Sequence, residues 1–419
     1  MMGTTQTQIL LFPTYASLNE VTNEWKLNIK GWAFKSTESS KRSRFFRSVT
    51  RRMLAPINGS SEHNKQVFAE RTSSFFSAPL EKSTVRICVV GVAPPHDITA
   101  EKKDAEAEDK NDELEFDKLD KAKLTGDDYI HADMQTDQNG IFTGSINIPQ
   151  AKVDEITKDT KEEFHGRTRL RVIAFLPNEL ESNVFGNIPL IEPEGISLVS
   201  DVDDTIKHSC VYDGLLTAAK VSLFGDFKDV PGMRDSYNLL YSKKTAFHYV
   251  SAGPFQLLPV VGTFINSFNF PEGSLILRNT SEVGPVDYKI KVIKAIIKDF
   301  PKRKFIMVGD SGEYDIEVYS KVHLAYPEQV SKIFIRNVGT GQDVAELEKR
   351  AKTAATDAPL ASTTWTKLTN KVKSEEVKVR QIKQDEVKVI KELSWKLFAD
   401  PTDLITDTLV LETMKMSLQ

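Results

Sequence analysis

The sequence predicts an α/β protein whose central part is a parallel sheet with helices on both faces. A β-rich, sandwich-like region precedes it and a helical segment follows. Three observations carry that reading. From Ile196 onward, short apolar runs alternate with segments of helical periodicity, the pattern of a parallel sheet with helical crossovers. Two of those runs end in carboxylate-rich loops, Asp201-Val202-Asp203-Asp204-Thr205 and Gly309-Asp310-Ser311-Gly312-Glu313-Tyr314-Asp315. Ligands of open α/β sheets gather at such strand ends. Before residue 195, period-two alternation is punctuated by Gly, Pro and Asn139-Gly140, which is sheet-forming punctuation.

Taken in chain order, residues 1–80 read as irregular around one dense basic stretch. Lys41, Arg42, Arg44, Arg47, Arg51 and Arg52 are interleaved with Phe45, Phe46, Val49 and Met53 at helical spacing. A basic amphipathic helix suits an anionic membrane surface, and Lys41, Arg42, Arg44, Phe45, Phe46, Arg47, Arg51 and Arg52 are the membrane-contact candidates. The plainer alternative is a helix or loop whose apolar side covers a neighbouring domain. Residues 81–194 read as β-rich: strands are expected over 84–92, around Ile141, Phe142, Ile146 and Ile148, and over 168–176. A charged, aromatic-poor insert at 97–128 interrupts them and reads as a solvated, mobile loop. Residues 195–340 hold apolar runs at 196–200, 247–250, 275–277, 305–308 and 333–335. The clearest helix covers 288–300, with Ile290, Ile293, Ile296, Ile297 and Phe300 on one face. Residues 341–419 read as helical. Trp365, Leu368, Val372, Val379, Ile382, Val389 and Leu393 approximate a heptad, interrupted by Glu375 and Glu386, so a helix folding back on the body is expected.

The chain has 419 residues, room for two or three domains, with 40% hydrophobic and 27% charged residues, ordinary for a globular protein. A net charge of −4 gives no general attraction to nucleic acid. Cys88 and Cys210 are the two cysteines, so a reducing, cytoplasmic setting is expected and no disulfide framework. No apolar run approaches the length of a membrane span. The run Ile9-Leu10-Leu11-Phe12 stops at Pro13, too short for a signal-peptide core. Gly3 follows two Met residues, which does not meet the myristoylation pattern. Any membrane contact is expected to be peripheral.

The two acidic loops carry the chemistry. Three carboxylates within four positions raise one another's pKa unless a cation lies among them. A divalent metal resolves the repulsion and gives a phosphate a place to bind. A calcium loop starting at Asp201 would need Gly at its sixth position and Glu at its twelfth; Ile206 and Tyr212 stand there. A plain acidic turn remains the alternative. Ser251 ends an apolar run ahead of Ala252-Gly253-Pro254, where a hydroxyl with nearby N–H groups can hold a phosphate oxygen, or simply make a turn. Lys289 opens the 288–300 helix, as a point charge for a phosphorylated group or as a solvated lysine. Asp310 is placed to complete a magnesium site with Asp201, because magnesium needs few carboxylates.

In order, Asp-x-Asp-x-Thr, Ser, Lys and Gly-Asp-x-x-x-x-Asp resemble the four motifs of the haloacid dehalogenase superfamily of phosphatases. Longer stretches resemble the fungal actin-patch phosphatidate phosphatase family: Leu198-Val199-Ser200-Asp201-Val202-Asp203-Asp204-Thr205-Ile206-Lys207-His208, and Lys298 through Glu313. The resemblance covers 195–336, with a looser echo at Phe12-Pro13-Thr14-Tyr15. It departs at Ser251-Ala252-Gly253-Pro254, where the family pattern is Ser-Asn-Ser-Pro; Ser251 itself is kept. The resemblance implies a haloacid dehalogenase-like fold and two-step phosphoryl transfer. In it, Asp201 is the nucleophile, Asp203 the acid and base, and Thr205 their orienting hydroxyl. Ser251 and Lys289 hold the phosphoryl group, and Asp201, Asp203, Asp310 and Asp315 surround Mg2+, Asp315 either as ligand or as loop anchor. Asp204 is left out, because in an extended segment it points away. Phosphatidate at an anionic membrane surface and actin-patch proteins are the implied partners. A phosphomonoesterase acting on soluble or protein substrates, and an adaptor retaining the phosphatase fold, stay open as alternatives.

Overall fold

The computed structural model describes residues 7–35, 62–93, 105–158, 167–213, 215–279, 283–338, 347, 349–350 and 395–416. The basic stretch 41–54 and the heptad-like stretch 365–393 lie outside the described residues. The chain divides into two compact units, one of residues 1–193, 241–246 and 254–277, the other of 194–240, 247–253 and 278–419.

The first unit is built on β1 (Thr7–Leu11), β2 (Ala16–Asn19), β3 (Glu24–Lys35), β4 (Ala78–Pro79), β5 (Thr84–Val92), β6 (His131–Gln135), β7 (Ile141–Pro149), β8 (Arg169–Leu176) and β9 (Glu179–Ile191). The order is β1-β3-β2-β9-β8-β5-β6, with β4 and β7 also paired to β3. Residues 7–35 are therefore not irregular. In β3, Trp25, Leu27 and Ile29 alternate with Lys26, Asn28 and Lys30. The apolar set joins Val85, Ile87, Val89, Phe142, Ile146, Leu170 and Val172 in one core, as period-two alternation requires. Gly140 turns the chain into β7 at φ +76, and a Cβ there would lie 2.3 Å from the Ala33 carbonyl oxygen.

The charged insert is also not a bare loop. It carries helices Ala105–Lys118 and Lys121–Thr125. Phe116 and Leu124 are buried with Cys88, Ile173, Phe175 and Phe185. Arg171 pins the first helix through Glu115 at 2.8 Å and through Asp112. Two apolar residues at the right places outweigh a charged composition, since each buries an amount of area that solvated Glu and Lys do not offset.

The six-stranded sheet contains β10 (Ile196–Ser200), β11 (Ala246–Pro254), β12 (Gly273–Arg278), β13 (Lys304–Asp310), β14 (Val330–Arg336) and β15 (Trp395–Phe398), in the order β12-β11-β10-β13-β14-β15. β10 with β13, β13 with β14, and β14 with β15 run parallel. Every residue of β10 is buried, which explains its continuous apolar run. Helix Pro285–Asp299 turns Ile293, Ile296 and Ile297 inward, with Pro285 at its first turn. Arg303 fixes the start of β10: its buried guanidinium donates to Ser197 Oγ at 2.9 Å and to the carbonyls of Glu194 and Ile196.

The carboxyl end of the chain corrects the expectation of an all-helical segment. Trp395–Phe398 is a strand on the sheet edge, followed by helices Thr402–Thr406 and Thr408–Met416. Phe398 packs edge-on against Phe334, centroids 6.1 Å apart, and Lys332 pairs with Asp407 at 3.2 Å. Among the described residues, no helix is long and apolar enough to cross a membrane.

Candidate active site

β10 and β13 end side by side because their parallel register sets Ser200 against Val308. The Asp201 amide extends the ladder by donating to the Val308 carbonyl at 2.9 Å. Both acidic loops therefore leave the sheet at the same end, where parallel strands carry ligand sites. Asp201 is the first residue beyond β10 and Asp310 the last of β13; Asp315 opens helix Asp315–Ala325.

Three buried carboxylates, those of Asp201, Asp310 and Asp315, offer oxygens that all lie within 4.8 Å of one another. The Lys289 ammonium, buried on helix Pro285–Asp299, donates to Asp201 Oδ1 at 2.7 Å and to Asp315 Oδ1 at 2.6 Å. Thr205 Oγ1 donates to Asp201 Oδ2 at 3.2 Å. The second oxygen of Asp315 accepts from the Asp310 amide at 3.1 Å. Asp310 Oδ1 accepts from the amides of Gly312 at 2.7 Å and Glu313 at 3.2 Å. Asp310 Oδ2 is buried with no hydrogen-bond partner among the described residues. Gly309 makes this crowding possible: a Cβ there would lie 2.3 Å from Asp315 Oδ2.

The electrostatics follow from that packing. Burial pushes the Asp201 carboxyl well above the ordinary carboxylate range; Lys289 pulls it back, and Asp315, Glu313 and Asp203 push it up again. Asp310 is also raised, by burial first and then by Asp315, Glu313 and Asp201. Burial works against the Lys289 ammonium, but Asp201 and Asp315 outweigh it and hold its pKa well above the usual lysine value. Three carboxylates against one ammonium leave a formal excess of two negative charges. A divalent cation would cancel that excess and give Asp310 Oδ2 a partner, and the donor set, all hard oxygen, fits a hard divalent ion.

The remaining expected residues fall differently. Asp203 was expected among the metal ligands, but its Oδ1 accepts from Lys207 Nζ at 3.1 Å and Ser209 Oγ at 2.6 Å. Its carboxylate is outside the Asp201–Asp310–Asp315 group. Ser251 is buried within β11, three residues before its end at Pro254, and its Oγ accepts from the Gly253 amide at 3.0 Å. Arg278 Nε braces the same part of β11 by donating to the Ala252 carbonyl at 3.1 Å.

Sequence reasoning set Asp204 aside as pointing away. Instead it turns back at φ +55, a region Asp tolerates better than most residues. Its carboxylate accepts from the amides of Ser209 at 2.9 Å, Cys210 at 2.8 Å and Val211 at 2.5 Å, and its carbonyl accepts from Arg336 at 2.6 Å. Asp204 thus folds the loop that carries Asp203. Tyr237 lies behind Asp201, its hydroxyl 2.8 Å from Ser200 Oγ, which donates to the Asp201 carbonyl at 2.6 Å. Arg350 braces the second acidic loop from outside, bonding Glu317 at 2.6 Å and the Ser311 carbonyl at 3.0 Å. The signal that could have found Asp204 is its position just after a strand and before a tight loop whose amides need an acceptor.

Residues 196–337, which span both acidic loops, Ser251 and Lys289, match the family model described as "Phosphatidate phosphatase APP1, catalytic domain". The chain is also similar to Phosphatidate phosphatase APP1 of Saccharomyces cerevisiae, 28% identical over 372 residues. That alignment covers 79% of this chain and 59% of the relative, so the chain spans less than two thirds of that relative's length. An uncharacterized protein of Schizosaccharomyces pombe is 29% identical over 161 residues, 36% of this chain and 26% of its own. The APP1 catalytic-domain match begins at the first residue of β10 and ends just past β14, so it takes in Asp201, Asp310, Asp315 and Lys289 but not the edge strand β15.

Proposed function

We propose that this protein is a magnesium-dependent phosphatidate phosphatase with a haloacid dehalogenase-like catalytic domain. The observation that carries the proposal is the buried cluster of Asp201, Asp310 and Asp315 facing the Lys289 ammonium at the end of parallel strands. The APP1 catalytic-domain match and the phosphatidate phosphatase relative support the substrate.

In this reading an Asp201 carboxylate oxygen bonds to phosphorus while the bond from phosphorus to the ester oxygen breaks, leaving an aspartyl phosphate. The departing oxygen takes a proton from Asp203. In the second half, a water gives its proton to Asp203 as its oxygen bonds to phosphorus. The Asp201–phosphorus bond breaks, and inorganic phosphate leaves. Lys289 offsets the phosphoryl charge, Thr205 keeps Asp201 oriented, and Ser251 with the adjacent amides receives the non-bridging oxygens. Asp201, Asp310 and Asp315 would hold magnesium, which supplies charge neutralisation when bound. Asp203, turned toward Lys207, serves acid–base chemistry rather than the metal.

Cytoplasmic location, read from the two cysteines, peripheral contact with anionic membrane through Lys41 to Leu54, read from its basic amphipathic pattern, and association with cortical actin patches, implied by the resemblance, belong to the same proposal. The test is phosphate release from phosphatidate in mixed micelles with magnesium, for wild type and Asp201→Asn, alongside a soluble phosphomonoester. Magnesium-dependent release from the lipid, lost in Asp201→Asn, is expected. Release from the soluble ester alone would replace the lipid by a soluble or protein substrate. No release from either would leave an adaptor with a retained fold.

A further inference from the structure

The mechanism above leaves one buried lysine unused. Lys207 is 2% exposed, and an ammonium is costly to bury without partners. Its Nζ donates to Asp203 Oδ1 at 3.1 Å, Ser209 Oγ at 2.7 Å and Ser222 Oγ at 2.8 Å, which uses all three of its N–H bonds. Its backbone is fixed as well: the Lys207 amide donates to the Val202 carbonyl at 3.0 Å, and its carbonyl accepts from the Asp204 amide at 2.7 Å. Ser209 Oγ donates to Asp203 Oδ1 at 2.6 Å. Asp203 Oδ1 thus receives two hydrogen bonds, both charge-assisted because the acceptor is a carboxylate, the shorter of them from Ser209. Among the described residues Oδ2 receives none, and the Asp203 side chain stays 20% exposed. One oxygen is clamped by two donors and, among the described residues, the other is not engaged.

We propose that Lys207 is a positioning residue for phosphoryl transfer: with Ser209 it clamps Oδ1 of Asp203, so that Oδ2 alone exchanges the proton with the leaving oxygen and the attacking water. Ser222, on helix Leu215–Phe224, completes the lysine's shell and ties that helix to the acid. The inference rests on the proposed function, in which Asp203 is the acid and base.

The experiment compares wild type, Lys207→Met, Lys207→Arg and Ser209→Ala as full chains at saturating magnesium. The substrates are phosphatidate and an alkyl-substituted nitrophenyl phosphate in the same mixed micelles. Nitrophenolate leaves without a proton, whereas the alkoxide of phosphatidate needs one, and kcat/KM reports the steps through leaving-group departure. Lys207→Met is expected to lower kcat/KM for phosphatidate by about 100-fold, the low end of what a positioned acid contributes, and at least about tenfold less for the nitrophenyl ester. kcat is expected to fall on both, because the water step needs Asp203 in either case. Lys207→Arg should recover part of the phosphatidate loss, and Ser209→Ala should lose less in the same direction. An equal loss of kcat/KM on both esters, or no loss, overturns the assignment. If Lys207→Met does not fold, the ratio in Ser209→Ala and Ser222→Ala decides in the same way. A wild type inactive on both esters overturns the underlying function and this assignment with it, and is distinct from an equal loss in an active enzyme.

Discussion

Replacing Lys289 by Met is the sharpest perturbation of the carboxylate cluster. One ammonium serves two buried carboxylates, at 2.7 Å and 2.6 Å. Removing one partner of a buried pair costs about 3–5 kcal/mol, because the charge left behind has neither water nor counter-ion. Here two carboxylates are left behind, so a loss of about 3–5 kcal/mol is expected in chelator-treated protein at neutral pH. The pH dependence follows from the raised carboxyls. Asp201 and Asp310 already have folded pKa values above their unfolded ones, so the folded protein holds protons there that the unfolded chain has released. Their penalty is absent at acid pH and grows as pH rises through the carboxylate range, and Lys289→Met should widen it in the same direction. Without the lysine the formal excess becomes three negative charges, so magnesium should stabilise the variant more than the wild type. Urea unfolding with and without magnesium, read by hydrogen exchange at the β10 and β13 amides, reports on this unit separately. A deficit under about 1 kcal/mol in chelator, the worth of an exposed pair, or equal stabilisation of both proteins by magnesium, would refute the reasoning.

Two further predictions concern the first acidic loop and the thiols. Asp204→Ala removes the acceptor of three loop amides and puts Ala at φ +55. A loss of about 3 kcal/mol in thermal or urea unfolding is expected, with Asp204→Asn losing clearly less, since Asn keeps one acceptor and tolerates the backbone. Equal losses would mean the carboxylate is not folding the loop. Cys88 is buried, and burial pushes its thiol up to about 11, with Arg86 pulling the other way. Native protein treated with iodoacetamide near pH 8 should therefore carry label at Cys210 and not at Cys88, which should react only on unfolding. Peptide mass spectrometry reads the outcome, and early labelling of Cys88 would contradict its place in the core.

The six-stranded sheet was legible where its strands are continuous apolar runs: Ile196–Ser200, buried throughout, needs no partner to be recognised. Asp201 and Asp310 were legible for the same reason, as ionisable residues at the ends of such runs. Lys289 was legible by place, but its bridge between Asp201 and Asp315 depends on how helix Pro285–Asp299 packs, which spacing alone does not specify. Asp203 illustrates the limit more sharply. Its neighbours Lys207 and Ser209 are close in sequence, yet the turn at Asp204 that brings them round violates the extended geometry expected after a strand. β3 was overlooked although its alternation is regular, because the intervening Lys and Asn residues give the stretch a polar composition. The insert hid two core residues, Phe116 and Leu124, in a majority of charges. At the carboxyl end, Trp395–Phe398 is too short to announce itself as a strand. It is defined by the open edge of β14 rather than by its own propensity.

That edge strand has a bearing on how the protein is made. Chains fold as they leave the ribosome, amino-terminal parts first. β10, β11, β13 and β14 all emerge before Trp395–Phe398, which takes its place beside β14 only after a long intervening stretch has been synthesised. Until then β14 presents a bare row of backbone donors and acceptors, the kind of surface on which nascent chains pair with one another. A fragment cut just past β14 would keep Asp201, Asp203, Asp310 and Asp315 and make that transient exposure permanent, so the end of the acidic cluster and the end of the folding unit are not the same residue.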